Sequence, residues 1–338
     1  MESCKPELVY GSLHLHIPGE LSAQYSAFCT LLPSEDHELS YEEAFAFYKD
    51  GYFITHSAVP SELITRARQY IDGHYHRWLA KTKRQDDWRT HLELDLTNLS
   101  SDLKDHGPVL DLLLLSPKLI GRLHDLMGSI QGIFYTQIAF RTPSSRKESF
   151  SPGDESKLYG IGAEYHIDGQ ANAAGERFPD HWTVMVGIAL VDIVTDEMGN
   201  FTVFPGGHTV RSWIDYPDAK RTKTLPSLGS CHKLRLRCGD AVFVHVLLPH
   251  RGGLNTLNGS LQTSEEDIAS AVVHNIQANT REMVFFRVKA CGIDYRSPSR
   301  SQAVLKNPWA EYTTLFEEFT LRDEDIKDIF ILHPTVDA

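Results

Sequence analysis

Three side chains that suit a metal ion, those of His166, Asp168 and His250, place the tightest constraint on how this chain can fold. His166 and Asp168 form an H-x-D step, and residues two apart in an extended strand point to the same side, so they can hold one ion together. His250 follows eighty-four residues later and must arrive from a different strand. Two imidazoles and one carboxylate are the donors of the facial triad that binds non-haem Fe(II). The sequence therefore predicts that two distant extended segments meet at one metal site.

Two other histidines compete with His250 for the third position. His208 follows a Pro-Gly-Gly sequence, and a histidine at such a turn is more often a hydrogen-bonding structural residue. His245 lies inside an apolar run, where a satisfied core histidine is the common outcome. His250 is predicted to end the strand that starts after Gly239-Asp240, beside two glycines whose small size leaves room for a ligand. We therefore favour His250 as the third ligand.

Helix signals come first along the chain and strand signals follow. Ser40 and Glu43 form a predicted capping box, and Gly51 is the predicted end of that helix. Two more helices are predicted, one after Pro60 and one from Ser116-Pro117 to near Gly128. From residue 133 onward the pattern becomes strand-like, with apolar and β-branched segments at 133–140, 183–192, 199–208 and 239–250.

This order predicts one mainly β domain with flanking helices. We assign residues 1–39 to an N-terminal extension packed on the core and residues 40–338 to the domain. Within the domain, 40–130 is predicted to be helical, 131–290 to be the β core and 291–338 to be a C-terminal helical segment. Two polar segments, 142–158 and 256–274, interrupt the core and are predicted to be lids over a pocket, because variable loops commonly carry specificity.

Composition excludes several classes of protein. The formal net charge of −12 argues against nucleic acid or an anionic membrane as the main partner, because both select basic surfaces. The sequence has no apolar run of about 18 residues, which predicts no membrane-spanning helix. Five scattered cysteines indicate free thiols in a reducing compartment, and no signal peptide is evident, so the predicted location is cytoplasmic.

The order of the motifs resembles a known family. The H-x-D step is followed by Gly199-Asn200, by Pro205-Gly206-Gly207-His208, and then by Gly239-Asp240 with His245, His250 and Asn255. Over roughly residues 40–290 this order is similar to the phytanoyl-CoA dioxygenase family. The resemblance implies a double-stranded β-helix, which is a jelly-roll fold of the cupin type. It also implies one Fe(II), with 2-oxoglutarate and O2 as cosubstrates.

The same resemblance implies residues for the cosubstrate. The far carboxylate of 2-oxoglutarate needs a fixed cation, and an arginine fork fits a carboxylate best. Arg281 opens a predicted strand and suits this role, although it follows His250 by thirty-one residues and the family's arginine follows its histidine much more closely. The assignment therefore requires 256–274 to be an insertion. Arg287, further along that strand, is predicted to be a surface charge.

Other polar residues near the predicted pocket are less specific. Gln137 is predicted to point into the barrel mouth, where the family often places a contact to 2-oxoglutarate, but an ordinary strand glutamine is an equal alternative. Asn255 is predicted to order the turn after His250. Arg141, Arg146 and Lys147 could meet an anionic substrate, although solvated loop charges are the more common outcome.

The predicted activity is oxidation, foremost hydroxylation, of a C–H bond in a small molecule, with release of succinate and CO2. A secondary metabolite and an acyl derivative are both open as substrates. Two alternatives come from other classes. One is a non-catalytic jelly-roll protein that binds a metal or ligand, and the other is a zinc-dependent hydrolase of the cupin type, because two histidines and a carboxylate also suit zinc.

Overall fold

The computed structural model describes eleven stretches of the 338-residue chain. They are residues 8–10, 13–15, 38–82, 89–94, 107–141, 166–171, 177–179, 181–210, 229–253, 255–256 and 279–318. The predicted lids, 142–158 and 256–274, lie outside the described residues except for residue 256, as do Arg146, Lys147 and most of the N-terminal extension. No helix in the described stretches is both long enough and apolar enough to cross a membrane.

Six α-helices occur in the described residues: α1 Tyr41–Asp50, α2 Ser61–Thr82, α3 Gly107–Leu114, α4 Pro117–Met127, α5 Pro298–Lys306 and α6 Thr313–Glu318. The predicted capping box of α1 is confirmed, since Ser40 Oγ accepts from the Glu43 amide at 3.2 Å and the Glu43 carboxylate accepts from the Ser40 amide at 3.1 Å. Gly51 ends α1 with a φ of 79°, a conformation that favours glycine. The starts predicted for α2 and α4 are also confirmed.

Thirteen strands occur in the described residues: β1 Leu8–Tyr10, β2 Leu13–Leu15, β3 Tyr52–Thr55, β4 Arg89–Leu94, β5 Ile130–Arg141, β6 Gly169–Ala171, β7 Arg177–Pro179, β8 Val184–Ala189, β9 Phe201–Val203, β10 His232–Lys233, β11 Ala241–His245, β12 His250–Gly252 and β13 Arg281–Ala290. They form a six-stranded antiparallel sheet in the order β3-β11-β8-β13-β5-β4 and a three-stranded antiparallel sheet in the order β10-β9-β12. The predicted mainly β jelly roll with flanking helices is confirmed.

The large sheet separates two cores, and residue parity along its strands decides which core each side chain joins. On β13, Val284, Phe286 and Val288 pack with the helices, whereas Met283 and Phe285 face the small sheet. Strands β8 and β11 alternate in the same way. Fully burying an apolar side chain of this size contributes about 1.5–3 kcal/mol, so the alternation holds each strand in one register.

Three expectations about the elements are corrected. The strand predicted to run from Gly239 to His250 is two strands, because the chain turns at 246–249 and passes from the large sheet to the small one. His245 therefore ends β11 and His250 opens β12. The predicted helical part, 40–130, also supplies β3 and β4 to the large sheet. The H-x-D step lies in an isolated bridge just before β6 rather than in a regular strand.

His208 and His245 lie together in the aromatic part of the core. Their ring centroids are 5.0 Å apart, and both rings contact Trp309 at 5.1 Å. His245 Nε2 donates to the Pro308 carbonyl and its Nδ1 accepts from the Leu247 amide, so the ring is a satisfied core histidine as predicted. Burial lowers the pKa of His208 from 6.5 to about 4, even though the Tyr48 carbonyl accepts from Nε2.

We expect His208 to make the protein less stable in mild acid. In the unfolded chain His208 takes up a proton as the pH falls through about 6.5, whereas in the folded chain it stays neutral down to about pH 4, so stability is lost within that window. Between pH 7 and pH 5 this loss is about 2 kcal/mol. Urea titrations of the metal-free wild type and of His208→Gln at both pH values check this. An equally large pH effect in the variant would contradict it.

Candidate metal centre

The backbones of His166 and His250 form a hydrogen-bonded pair that brings two of the predicted ligands together. Each residue donates its amide to the other's carbonyl at 3.0 Å, and the two ring centroids lie 4.5 Å apart. His250 is fixed because β12 pairs with β9, where it lies opposite Val203. The two histidines are thus neighbours through backbone bonds that do not depend on any ion.

Asp168 completes the cluster from the same segment as His166. Its Oδ1 atom lies 3.4 Å from His166 Nε2 and 3.6 Å from His250 Nε2. The intervening Ile167 is buried in the core between the sheets, so the residues on either side of it turn towards the cavity. One donor atom from each of the three residues lies within 4.8 Å of the others. In the described part of the chain this is the only group of three such residues that could hold an ion.

The orientation of the His250 ring suits a metal ligand. Its Nδ1 atom donates to the Leu248 carbonyl at 2.9 Å, which leaves the Nε2 lone pair directed at Asp168. Burial and the neighbouring His166 lower the pKa of His250 to about 4, so the ring is neutral near pH 7. A neutral imidazole is the form that binds a metal.

Arg287 was predicted to be a surface charge, and the structure shows that this prediction is wrong. Only 4% of the residue is exposed, and its Nη2 atom lies 3.1 Å from Asp168 Oδ2. Burial by itself would raise the pKa of Asp168, but Arg287 and the two imidazoles outweigh it and hold that pKa well below its usual range. Asp168 is therefore ionised. The available signal was parity, because Arg281 and Arg287 fall on the same face of β13, with the apolar Met283 and Phe285 between them.

The three residues lie at a cavity of about 240 Å³ between the sheets. Met185, Phe201 and Phe285 give it apolar walls, and Gln137 lines it as predicted. The Gln137 Oε1 atom accepts from Arg287 Nη1 at 3.1 Å. The cavity therefore combines a charged, polar cluster with apolar surface, which is common for a small-molecule site.

Arg281 lines the same cavity, six residues before Arg287 on β13. It is 1% exposed, and its Nη1 donates to the Gly199 carbonyl at 2.8 Å, while its Nε has no hydrogen-bond partner. It forms no ion pair with a carboxylate of the described residues. Burial, and then the neighbouring Arg141, lower the pKa of Arg281 well below its usual range. A buried guanidinium without a carboxylate partner among the described residues suits an anionic ligand.

Arg141 is not the solvated loop charge that its sequence context suggested. It ends β5 directly opposite Arg281, is 5% exposed and lines the cavity. Its guanidinium lies against Gly252, where any side chain would collide with it. The glycine predicted to make room for a ligand of His250 therefore makes room for this arginine.

Asn255 orders the chain after His250, as predicted. Its amide donates to the Arg141 carbonyl at 2.9 Å and to the Asn279 carbonyl at 2.5 Å. These two carbonyls lie at the end of β5 and just before β13. The contacts hold together the two strand ends that carry Arg141 and Arg281.

The sequence model of the phytanoyl-CoA dioxygenase (PhyH) family matches residues 47–260, which is more than half of the chain. The chain belongs to this family. It is accordingly an Fe(II)- and 2-oxoglutarate-dependent oxidoreductase. No curated protein matches the sequence.

Three solved structures are among those similar to this chain. SnoK, an α-ketoglutarate-dependent carbocyclase from nogalamycin biosynthesis, is 16% identical with a TM-score of 0.49, over 78% of this chain and 92% of its own. HygX from Streptomyces hygroscopicus, with nickel and 2-oxoglutarate bound, is 15% identical with a TM-score of 0.43, over 76% and 90%. EctD from S. alaskensis is 15% identical with a TM-score of 0.46, over 75% and 76%.

We expect metal affinity to separate His250 from His245. His250→Ala removes a donor atom and should lower the affinity for Fe(II) or Co(II) by more than about 100-fold. His245→Gln should leave that affinity within about threefold and cost about 1–3 kcal/mol of stability, because two core hydrogen bonds change. Anaerobic metal titration and urea unfolding provide the two measurements. Metal loss in the His245 variant with retention in the His250 variant would reverse the assignment.

Proposed function

We propose that His166, Asp168 and His250 hold Fe(II) and that the enzyme hydroxylates a C–H bond of a small molecule. The observation that carries the proposal is the position of a buried arginine, Arg281, in the same cavity as three converging metal donors. One part of the site suits a divalent ion and the other suits a carboxylate. A dicarboxylate that reaches the metal matches both parts.

The donor set fits Fe(II). Two imidazoles and one carboxylate satisfy the preference of a borderline metal, and three donors leave room for further ligands. Fe(II) with 2-oxoglutarate and O2 supplies oxidative decarboxylation to succinate and CO2, together with the oxidation of the substrate. Asp168 occupies the ligand position that related halogenases leave to chloride, which favours hydroxylation over halogenation.

The protein groups have separate tasks in this proposal. Arg281 binds the far carboxylate of 2-oxoglutarate through its fork, and Gln137 contacts the cosubstrate from β5. Met185, Phe201 and Phe285 exclude water from the reacting region and shape the space for the substrate. The substrate is a small molecule, either a secondary metabolite or an acyl derivative. The domain is the single unit 40–338 predicted from the sequence.

We expect Arg281 substitutions to weaken 2-oxoglutarate much more than iron. Arg281→Lys keeps the charge but loses the fork, so the KM for 2-oxoglutarate should rise about tenfold, and in Arg281→Ala about 100-fold. Arg235→Ala, which breaks an exposed ion pair with Asp196, is the control and should change neither value. The KM comes from succinate release and the iron affinity from anaerobic titration. Unchanged KM values in both Arg281 variants would move the carboxylate site elsewhere.

We expect succinate release by the iron-loaded protein to depend on both 2-oxoglutarate and O2. Protein reconstituted with Fe(II) without oxygen is mixed with 2-oxoglutarate and a metabolite library, and succinate is measured after O2 is admitted. Asp168→Ala should reduce the signal at least about 100-fold because it removes a metal ligand. A wild type that releases no succinate and holds stoichiometric zinc would favour the hydrolase.

A further inference from the structure

We propose that Arg287 is a positioning residue that holds Asp168 so that only Oδ1 faces the metal. The inference deepens the proposed function and rests on it, because it concerns how one proposed ligand is oriented. Arg287 donates to Asp168 and to Gln137. In this proposal its effect on the reaction passes through the orientation of these two side chains.

The two oxygens of Asp168 have different partners. Arg287 donates from Nε at 3.3 Å and from Nη2 at 3.1 Å, and both bonds go to Oδ2. The other oxygen, Oδ1, faces the Nε2 atoms of His166 and His250. Turning the carboxylate so that both oxygens face the metal would break two charge-assisted hydrogen bonds. Arg287 thus favours one-oxygen coordination, which keeps a position open for a chelating cosubstrate.

Arg287 is itself held rigidly. It projects from β13, which lies between β8 and β5 near the middle of the large sheet. Its third contact is the bond from Nη1 to Gln137 Oε1, and its guanidinium carbon lies 5.8 Å from the centroid of the Phe285 ring. A planar fork can satisfy both partners at once, whereas a lysine ammonium is a single point of charge.

The same guanidinium decides how the Gln137 amide is oriented. Arginine has only donors, so the atom of Gln137 that meets it must be the amide oxygen. The amide nitrogen of Gln137 is then the atom that does not meet Arg287. Arg287 therefore sets the positions of a metal ligand and of a residue proposed to contact 2-oxoglutarate.

Charge balance alone is the competing explanation, because a buried carboxylate is costly without a cation. The two explanations separate in Arg287→Lys, which keeps the charge and loses the fork. Arg287→Met removes both the charge and the fork and keeps a long, unbranched side chain. Arg68→Met is a matched control, since Arg68 pairs at 3.0 Å with Glu282 on the opposite face of the same strand.

Two measurements test the proposal. The first is the titration of the Fe(II) protein with 2-oxoglutarate without oxygen, in which the visible charge-transfer band of the chelate reports binding. We expect the dissociation constant to rise about tenfold or more in both Arg287 variants and to stay near wild type in Arg68→Met. The second is the ligand-field spectrum of the Co(II) protein without cosubstrate, which should change in the Arg287 variants because Asp168 is free to turn.

The outcomes distinguish this inference from the proposed function. If wild type shows the chelate band and Arg287→Lys matches it in both measurements, Arg287 supplies charge only and the positioning role is wrong. If wild type shows no band, the proposed function fails. In that case, a Co(II) spectrum that changes in Arg287→Lys but not in Arg68→Met still supports the inference that Arg287 orients Asp168. An unchanged Co(II) spectrum in both Arg287 variants overturns the inference whatever the chelate band shows.

Discussion

The paired backbone hydrogen bonds between His166 and His250 are the interaction on which the site depends. They join two segments that are eighty-four residues apart in sequence and place both imidazoles on one side. Backbone bonds of this kind are independent of side-chain protonation and of any ion. The donor cluster is therefore built into the sheet pairing, and a metal would meet histidines already positioned for it, which lowers the cost of ordering them on binding.

Buried charge is the second organising constraint. Asp168 lies in the cavity as an anion beside Arg287, so its charge is paired, whereas Arg281 and Arg141 share the cavity as like charges. Their mutual repulsion and the burial of Arg281 favour an anionic ligand in the same space. β13 carries Arg281 and Arg287 on one face and packs Val284, Phe286 and Val288 against the helices on the other.

Much of the architecture could be predicted because its signals are local. The Ser40 and Glu43 caps, the glycine that ends α1 and the apolar, β-branched segments at 133–140 and 183–192 each act over a few residues, where propensity and burial agree. The break between His245 and His250 was missed because its cause is tertiary. Apolar residues continue through the turn at 246–249, and only the passage from one sheet to the other ends the strand.

The sequence by itself determined the kinds of donor and their order along the chain. This is why His166, Asp168, His250, Arg281 and Gln137 could be named from it, and all of them line one cavity. Only the tertiary structure decided which charges face each other. Arg287 and Arg141 resemble solvated charges in sequence, and they are buried because β13 and β5, which carry them, are inner strands of the large sheet. Partners across a sheet are set by register and layer packing, and those depend on the whole chain.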